Sequence, residues 1–498
     1  MSQNVPSNKQ SYVKLFTNTI IFAIGTFGSK LLVLLLVPLY TAALLPEEYG
    51  TVDLIAQTAN ILIPIFSLSA ADAALRFGLD TKETDKLKKV YSLCLGTVAC
   101  GILVMAAIFP VLSQLKYLSG FSGILFVYVC TSTLKLLNST FTRALEKVKL
   151  FALDGILTTL SMLLLNILFL LGFKWGMQGY LWAIILSDLI SSVFLFFAAK
   201  LYKYITFARP DFSLLKSMLK YSAPLIPTTL LWLITSISDR FIITLFHGEY
   251  ANGINTVAYK IPTILTTVFT MFSQAWNMSA ITENKSQERE SFYTNVFSFN
   301  QSFMYVISAG ILLLIRPITY IWINPAYHEA YLYSPVLTVA TVFTCFNVFL
   351  GSVYIACKKT RQSFLTSLAA GIINIILNFA LIPSMGILGA AIATFISYFA
   401  VFFYRLFDTR RYIPFDFSMS KILVNSALII AMTVINRLNG WWIYVVLGVI
   451  FTLVLALNFK DILRIMLLIL PKKLLDKLPF ISKIANKLLE LKINFKKG

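Results

Sequence analysis

The sequence is poor in the residues from which metal centres, disulfides and catalytic sites are built. Its 498 residues include two histidines, His247 and His328, far apart along the chain, so a histidine-based metal cluster is not expected. The five cysteines, Cys94, Cys100, Cys130, Cys345 and Cys357, lie in or beside apolar stretches with no C-x-x-C pair. That spacing argues against a zinc site or a disulfide framework and makes them small buried hydrophobes. Charge is scarce as well. Only 13% of the chain is charged, against roughly 25% in an ordinary soluble protein. Long polar loops are also lacking, which removes the surface that a membrane glycosyltransferase or polysaccharide polymerase uses for its chemistry. The string GTFGSK (Gly25 to Lys30) lacks the G-x-x-x-x-G-K-[ST] spacing of a phosphate loop. No face carries a nucleophile, base and metal ligands together, so no enzyme and no cofactor is expected.

What fills the chain is apolar: 58% of residues are hydrophobic and the mean hydropathy is +0.79. A soluble core cannot hide that much apolar surface, so the solvent must be a bilayer, whose hydrocarbon takes roughly 20 apolar residues per helix. Fourteen such segments follow one another, the first at 14–44 and the last at 441–459. The first carries Lys30 in its middle and lacks a convincing cleavage site, so it reads as a retained span rather than a signal peptide. The expected fold is an all-α polytopic membrane protein with about fourteen transmembrane helices.

The formal charge of +20 raises the question of nucleic acid, and the location of the basic residues answers it. With a cytoplasmic N-terminus, 34 of the 42 Lys and Arg fall in the cytoplasmic loops and the C-terminal tail. The opposite loops hold only Lys116, Lys174, Arg316 and Arg437. The positive-inside rule therefore predicts an even number of spans with both termini cytoplasmic in a bacterial inner membrane, and no nucleic-acid partner.

The chain also repeats itself. Ala144, Lys147, Lys149, Leu165 and Asn166 recur 212 positions later as Ala356, Lys359, Arg361, Leu377 and Asn378, and Gly176, Gly179, Ala183 and Ser187 recur at an offset of 210 as Gly386, Gly389, Ala393 and Ser397. Spans five and six thus match eleven and twelve. The spacing predicts two six-helix lobes, 12–205 and 212–407, related by a pseudo-two-fold axis along the membrane normal. Two further spans at 408–459 and a basic amphipathic tail at 460–498 complete the chain. The repeated small residues share one helix face and predict close packing. The tail reads as interfacial helices attracted to anionic lipid.

Four cations remain embedded: Lys30 in span one, Lys135 in span four, Arg240 in span seven and Lys260 in span eight. A charge facing lipid at the bilayer centre costs roughly 2.5 to 3.5 kcal/mol, so these residues should face a wet cavity or partners. Either they form internal ion pairs that fix helix packing, or they line a transport pathway. Asp188, midway along span six, is the candidate for ion coupling. Asp239 adjoins Arg240. Asp72, four residues before Arg76, reads as half of a helical ion pair. Pro224 and Pro227 predict a bend at the start of span seven.

Four strings then bear on function: LLPEEYGTVDL after span one, SDRFIITLF in span seven, GINTVAYKIP in span eight, and FSQAWNMSAITE. Together, and in this order, they resemble the polysaccharide transport family of the multidrug, oligosaccharidyl-lipid and polysaccharide exporter superfamily, and the resemblance covers nearly the whole chain. It implies a flippase that moves an undecaprenyl-pyrophosphate-linked oligosaccharide from the cytoplasmic to the outer leaflet by alternating access, for cell-surface polysaccharide assembly beside a polymerase machinery. It also implies a cationic central cavity, to which Lys30, Arg240, Lys260 and Lys135 are the candidates. A lipid II flippase shares the same phosphate problem. A drug/cation antiporter should instead carry uncompensated carboxylates.

Overall fold

The computed structural model describes residues 35–469 except 113, 115–119, 207–208 and 284–287, together with Leu15, Thr17 and Thr19. Lys30 and the tail beyond 469 lie outside the described residues. In chain order the helices are α1 (Pro46–Phe66), α2 (Ala70–Leu79), α3 (Thr84–Leu112), α4 (Ser122–Ala144), α5 (Val148–Asn166), α6 (Gly176–Ala198), α7 (Phe212–Ser222) and α8 (Leu225–Lys260). They continue with α9 (Thr263–Glu283), α10 (Arg289–Trp322), α11 (Ser334–Ala356), α12 (Thr360–Met385), α13 (Ile387–Thr409), α14 (Met419–Ile435) and α15 (Trp442–Ile469). Among the described residues, nine helical stretches are long and apolar enough to cross a membrane, and α1 with α2 makes a tenth if the bent pair is one span. Their outward faces carry bare apolar side chains such as Leu103, Ile321 and Ile376, which a bilayer accommodates and water does not. The protein is an all-helical, multi-pass membrane protein.

The offset repeat is written into the backbone. Glu146 and Lys358, 212 positions apart, both turn with positive φ, 58° and 59°, and Gly176 and Gly386, 210 apart, do so with 55° and 56°. The small residues of the repeat serve packing. A β-carbon on Gly389 would lie 2.5 Å from the Leu381 carbonyl oxygen, and one on Gly179 would lie 3.1 Å from the Phe169 side chain, so both hairpins close backbone to backbone. Helices α4, α5 and α6 pack on one another, as do α11, α12 and α13.

The second span is broken. Pro64 removes a helical donor, and after Phe66 the chain bends by 53° into α2. Leu68 and Ser69 at the bend both hold φ of 50°, a left-handed conformation that costs a side-chain-bearing residue on the order of 1–3 kcal/mol. The neighbouring α3 fits the bend only through Gly101, whose β-carbon would fall 1.6 Å from the Phe66 carbonyl oxygen. The expected proline bend of span seven is a full interruption: α7 ends at Ser222 and α8 begins at Leu225 behind Pro224. The start of α7 is capped by Asp211, which accepts the Leu214 N–H at 3.1 Å. That hydrogen bond, with Lys89 nearby, holds the Asp211 carboxyl below the usual carboxylate range.

One apolar core runs across both sets of helices, from Tyr49, Leu125 and Leu181 to Trp276 and Phe346. A second, separate core joins α2, α3, α4, α6 and α7. The join in the first core is a glycine crossing. A β-carbon on Gly50 of α1 would lie 2.0 Å from the Glu249 carbonyl oxygen of α8, and one on Gly253 would lie 1.8 Å from that of Pro46. Asn252 donates to the Gly50 carbonyl at 2.9 Å, and the Tyr327 hydroxyl donates to that of Leu44 at 2.9 Å.

The last two helices dock on α10 through polar groups, as expected where no hydrophobic driving force acts between helices in lipid. Lys421 of α14 pairs with Asp461 of α15 and donates to Ser302 of α10 at 2.8 Å. Asn458 donates to Asn425 at 2.7 Å, and Asn436 to the Leu312 carbonyl at 2.9 Å.

Two outcomes follow from this packing. Lys421→Met should destabilise the detergent-solubilised protein by roughly 3–5 kcal/mol, because it strands Asp461, whereas adding Asp461→Leu should recover most of the loss; a double-mutant cycle in thermal unfolding reads both. Gly253→Ala should part α1 from α8 at their crossing. A cysteine introduced as Asn255→Cys, buried in the parent, should then react several-fold faster with a membrane-impermeant maleimide.

Candidate functional site

Just inside the glycine crossing lies a buried group of charges shared by α1 and α8. Asp53, one turn along α1 from Gly50, forms an ion pair with Arg240. Asp239 precedes Arg240 on α8 and takes no cation in salt-bridge contact; it accepts the Tyr259 hydroxyl at 2.9 Å and the Arg240 N–H at 3.0 Å. The Arg240 guanidinium lies 5.9 Å from the centre of the Tyr259 ring. Lys260 lies beyond Gly248, whose non-helical backbone (φ 80°, ψ 178°) divides α8 into two arms; it sits 6.0 Å from the centre of the Tyr49 ring, and no carboxylate makes salt-bridge contact with it among the described residues. Tyrosine rings enclose the group: Tyr40 and Tyr180 meet at 4.8 Å, and Tyr49 and Tyr327 at 6.2 Å.

Among the described residues, many polar atoms of this seam are buried without a partner. They include Asp53 Oδ2, Arg240 Nε, the hydroxyls of Tyr40 and Tyr49, and both polar atoms of the Asn255 amide. Each such atom forfeits about 1–3 kcal/mol relative to one that is paired or hydrated. The arrangement suits a contact that opens, or that receives polar groups from elsewhere.

Toward the opposite end of the bundle lies a cavity of about 600 Å³. Its walls come from α1, the α1–α2 break, α2, α4, α5 and α6, with Thr229 and Leu233 of α8. Here the structure brings together two of the residues singled out in the sequence. The Lys135 ammonium meets Asp188 Oδ1 at 2.7 Å, and the Ser132 hydroxyl donates to the other carboxylate oxygen. Behind them Asp154 accepts the Ser191 hydroxyl at 2.5 Å. Tyr128 lies within electrostatic reach of both Asp188 and Asp53 and thus joins the cavity to the seam.

The expected Asp72–Arg76 pair does not form. Arg76 turns to Asp80 at 2.8 Å, since the bend before α2 sets Asp72 on the cavity wall. A second, smaller cavity of about 170 Å³ lies among α8, α9, α11, α12 and α13, lined by Asp239, Tyr259 and several threonines. Of the predicted cations, then, Arg240 and Lys260 share the seam, Lys135 lies apart on the cavity wall, and Lys30 is outside the described residues. Sequence reasoning missed Asp53 and the serines of the break, Ser67 and Ser69. Asp53 lies in the string LLPEEYGTVDL, so its position was visible; its partner, 187 residues away, was not.

Comparisons with known proteins agree with this architecture. The family model described as "Polysaccharide biosynthesis protein" matches residues 15–277. An uncharacterized membrane protein of Methanocaldococcus jannaschii is 23% identical over 389 residues, which span 73% of this chain and 90% of that protein. Among solved structures, the lipid II flippase MurJ in an inward closed conformation is similar with a TM-score of 0.69 at 16% identity, covering 90% of this chain and all of the other. An inward-facing multidrug resistance transporter of the MOP superfamily gives a TM-score of 0.63 at 13% identity, over 77% of this chain and 95% of the other. At such identities the structural likeness establishes the fold, and the family match covers more than half of the sequence: the chain belongs to the polysaccharide biosynthesis protein family, with the helical fold of the MOP superfamily.

Proposed function

We propose that this protein is a flippase that carries an undecaprenyl-pyrophosphate-linked oligosaccharide from the cytoplasmic to the outer leaflet of a bacterial inner membrane by alternating access. The observation that carries this reading is the seam itself. A half-buried cation, Lys260, with no salt-bridge partner among the described residues, lies near an Arg240–Asp53 ion pair. With the orientation expected from the basic loops, the seam lies toward the outer face and the cavity toward the cytoplasm.

The chemistry follows from the charges. A pyrophosphate cannot cross hydrocarbon unaided, because an unpaired charge loses far more on leaving water than any contact with lipid returns. Lys260 offers it a positive charge with no internal competitor. Arg240 offers a planar fork that binds phosphate oxygens two at a time, once Asp53 is displaced. Displacing Asp53 removes the ion pair that ties α1 to α8, so arrival of the cargo and release of the seam become one event. Lys30, from the first span, is the further cation assigned to this pathway. Lys135 and Asp188 form a neutral pair on the approach, and Asp188 stays the ion-coupling candidate. With the cytoplasm negative, each net negative charge moved outward gains about 2.3 kcal/mol per 100 mV. The lipid II flippase reading draws support from the MurJ-like fold and uses the same phosphate chemistry, so the two readings differ only in the sugar and peptide beyond the phosphates.

Native mass spectrometry of the purified protein should find polyprenyl-pyrophosphate lipid bound. Arg240→Ala and Lys260→Ala should each lower its retention on the order of tenfold, the worth of one charge-assisted contact. Retention unchanged in both variants would sink the assignment, and the mass of the head group decides between oligosaccharide and lipid II. Asp53→Asn should act in the opposite direction. With Arg240 relieved of its internal carboxylate, retained lipid rises several-fold; a fall would make Asp53 a cargo contact instead of a latch.

A further inference from the structure

We infer that the cavity at the α1–α2 break seats the sugar portion of the cargo, with Asn60, Ser67, Ser69 and Asp72 as the residues that read its hydroxyls; this rests on the flippase reading above.

Charge decides first what the cavity can hold. Its one lining cation, Lys135, is neutralised by Asp188 at 2.7 Å. Asp72, released from Arg76 by the Arg76–Asp80 pair, adds a carboxylate with no cation in salt-bridge contact among the described residues. Among the described residues the lining therefore sums to one net negative charge when these groups are ionised. Such a wall gives a pyrophosphate no net attraction. A neutral polyol needs none, and an ionised carboxylate is among the strongest acceptors a sugar hydroxyl can find.

Hydrogen-bonding capacity decides next. The side chains of Ser67 and Ser69 line the cavity, are 3% and 5% exposed, and make no side-chain hydrogen bond among the described residues. Neither hydroxyl is among the atoms buried without a partner, so both open onto the cavity and can bond the hydroxyls of a ligand there. Asn60 donates to Gln57 at 3.3 Å, and its carbonyl remains an acceptor at the cavity wall. Tyr128 supplies an aromatic lining on the seam side. Carboxylate, amide, hydroxyl and ring together match the alternating polar edge and apolar face of a pyranose.

Backbone geometry explains why the break exists. In an unbroken α-helix, residues two apart point about 200° away from each other, so Ser67 and Ser69 could not both face one cavity. The left-handed turn at Leu68 and Ser69, with φ of 50° at each, brings the two hydroxyls to the same wall. At about 600 Å³ the space falls within the range of roughly 300–1,000 Å³ usual for small-molecule sites. Because Thr229 and Leu233, on the arm of α8 that carries Arg240, line it, a movement of that arm away from α1 opens the seam and removes part of the cavity wall together.

The test compares two lipids on the full-length purified protein: undecaprenyl pyrophosphate, and the same lipid bearing one N-acetylglucosamine. The parent should bind the sugar-bearing lipid more tightly. Asp72→Asn, and separately the double variant Ser67→Ala with Ser69→Ala, should weaken that binding by about tenfold and leave the bare lipid unchanged. A parent that does not distinguish the lipids overturns the inference, as does an equal change for both lipids in the variants, or no change for either. Tighter binding of bare lipid by Asp72→Asn also overturns it, because it would show that the phosphates lie against Asp72. If Asp72→Asn fails to fold, the serine variant carries the comparison. A parent that binds neither lipid defeats the flippase reading itself, an outcome visible before any variant is examined.

Discussion

Where α1 crosses α8, a β-carbon on Gly50 would come within 2.0 Å of the Glu249 carbonyl oxygen, and one on Gly253 within 1.8 Å of that of Pro46. No residue but glycine permits two helix backbones to approach so closely. Everything at the seam depends on that approach. It brings Asp53 within reach of Arg240, sets the Tyr49 ring beside Lys260, and lets Asn252 bond to the Gly50 carbonyl. Lengthen the distance by the width of a methyl group and the ion pair, the ring contact and the continuous apolar core would all have to be rebuilt.

The closed seam is held against an opposing force of its own. Its apolar side chains gain by packing, yet Tyr40, Tyr49, Asn255, Asp53 and Arg240 all carry buried polar atoms without partners. Such atoms regain hydration when the helices part. Such opposed gains bring the shut and open states closer in free energy, which is what the proposed alternating access needs at a gate. Polar groups also join α10, α14 and α15, Lys421 with Asp461 and Ser302, Asn425 with Asn458, Tyr305 with Ser426, while Asn300, Gln301 and Arg316 of α10 and Asn436 after α14 keep buried polar atoms without partners among the described residues.

The parts of this architecture that depend on local pattern were legible in the sequence. Apolar runs identified helices, and the 212 and 210 offsets anticipated positive-φ turns that recur at Glu146 and Lys358 and at Gly176 and Gly386. Long-range pairing was less accessible. Asp72 and Arg76 have the right spacing for an ion pair, but the bend after Phe66 changes what Asp72 faces, and Arg76 finds Asp80 instead. Pro64 marked the place where a helical bond is lost, but nothing local said that Leu68 and Ser69 would adopt left-handed backbone. That conformation is held from outside, by Gly101 of α3 lying against the Phe66 carbonyl. Lys135 and Asp188 were both visible as embedded charges; their contact needed the packing of α4 on α6.

The division of charge between seam and cavity bears on how a lipid-linked sugar could move at all. A cavity that was cationic throughout would hold a pyrophosphate at every depth and give it no reason to move outward. In this protein the described lining of the cavity near the expected cytoplasmic side is slightly negative, through Asp72 and the neutralised Lys135, while at the far end Arg240 and Lys260 are balanced by Asp53 and Asp239. On the proposed reading a pyrophosphate therefore leaves a net negative wall for a balanced seam, in the same direction in which a cytoplasm-negative membrane would drive it. Neutral sugars respond to neither field, so on the same reading hydrogen bonding holds them, at the hydroxyl-bearing break. Separating the two kinds of recognition in space would let the phosphates trigger the gate while the sugars are still gripped, and a gate formed by α8 would end both interactions when it opens.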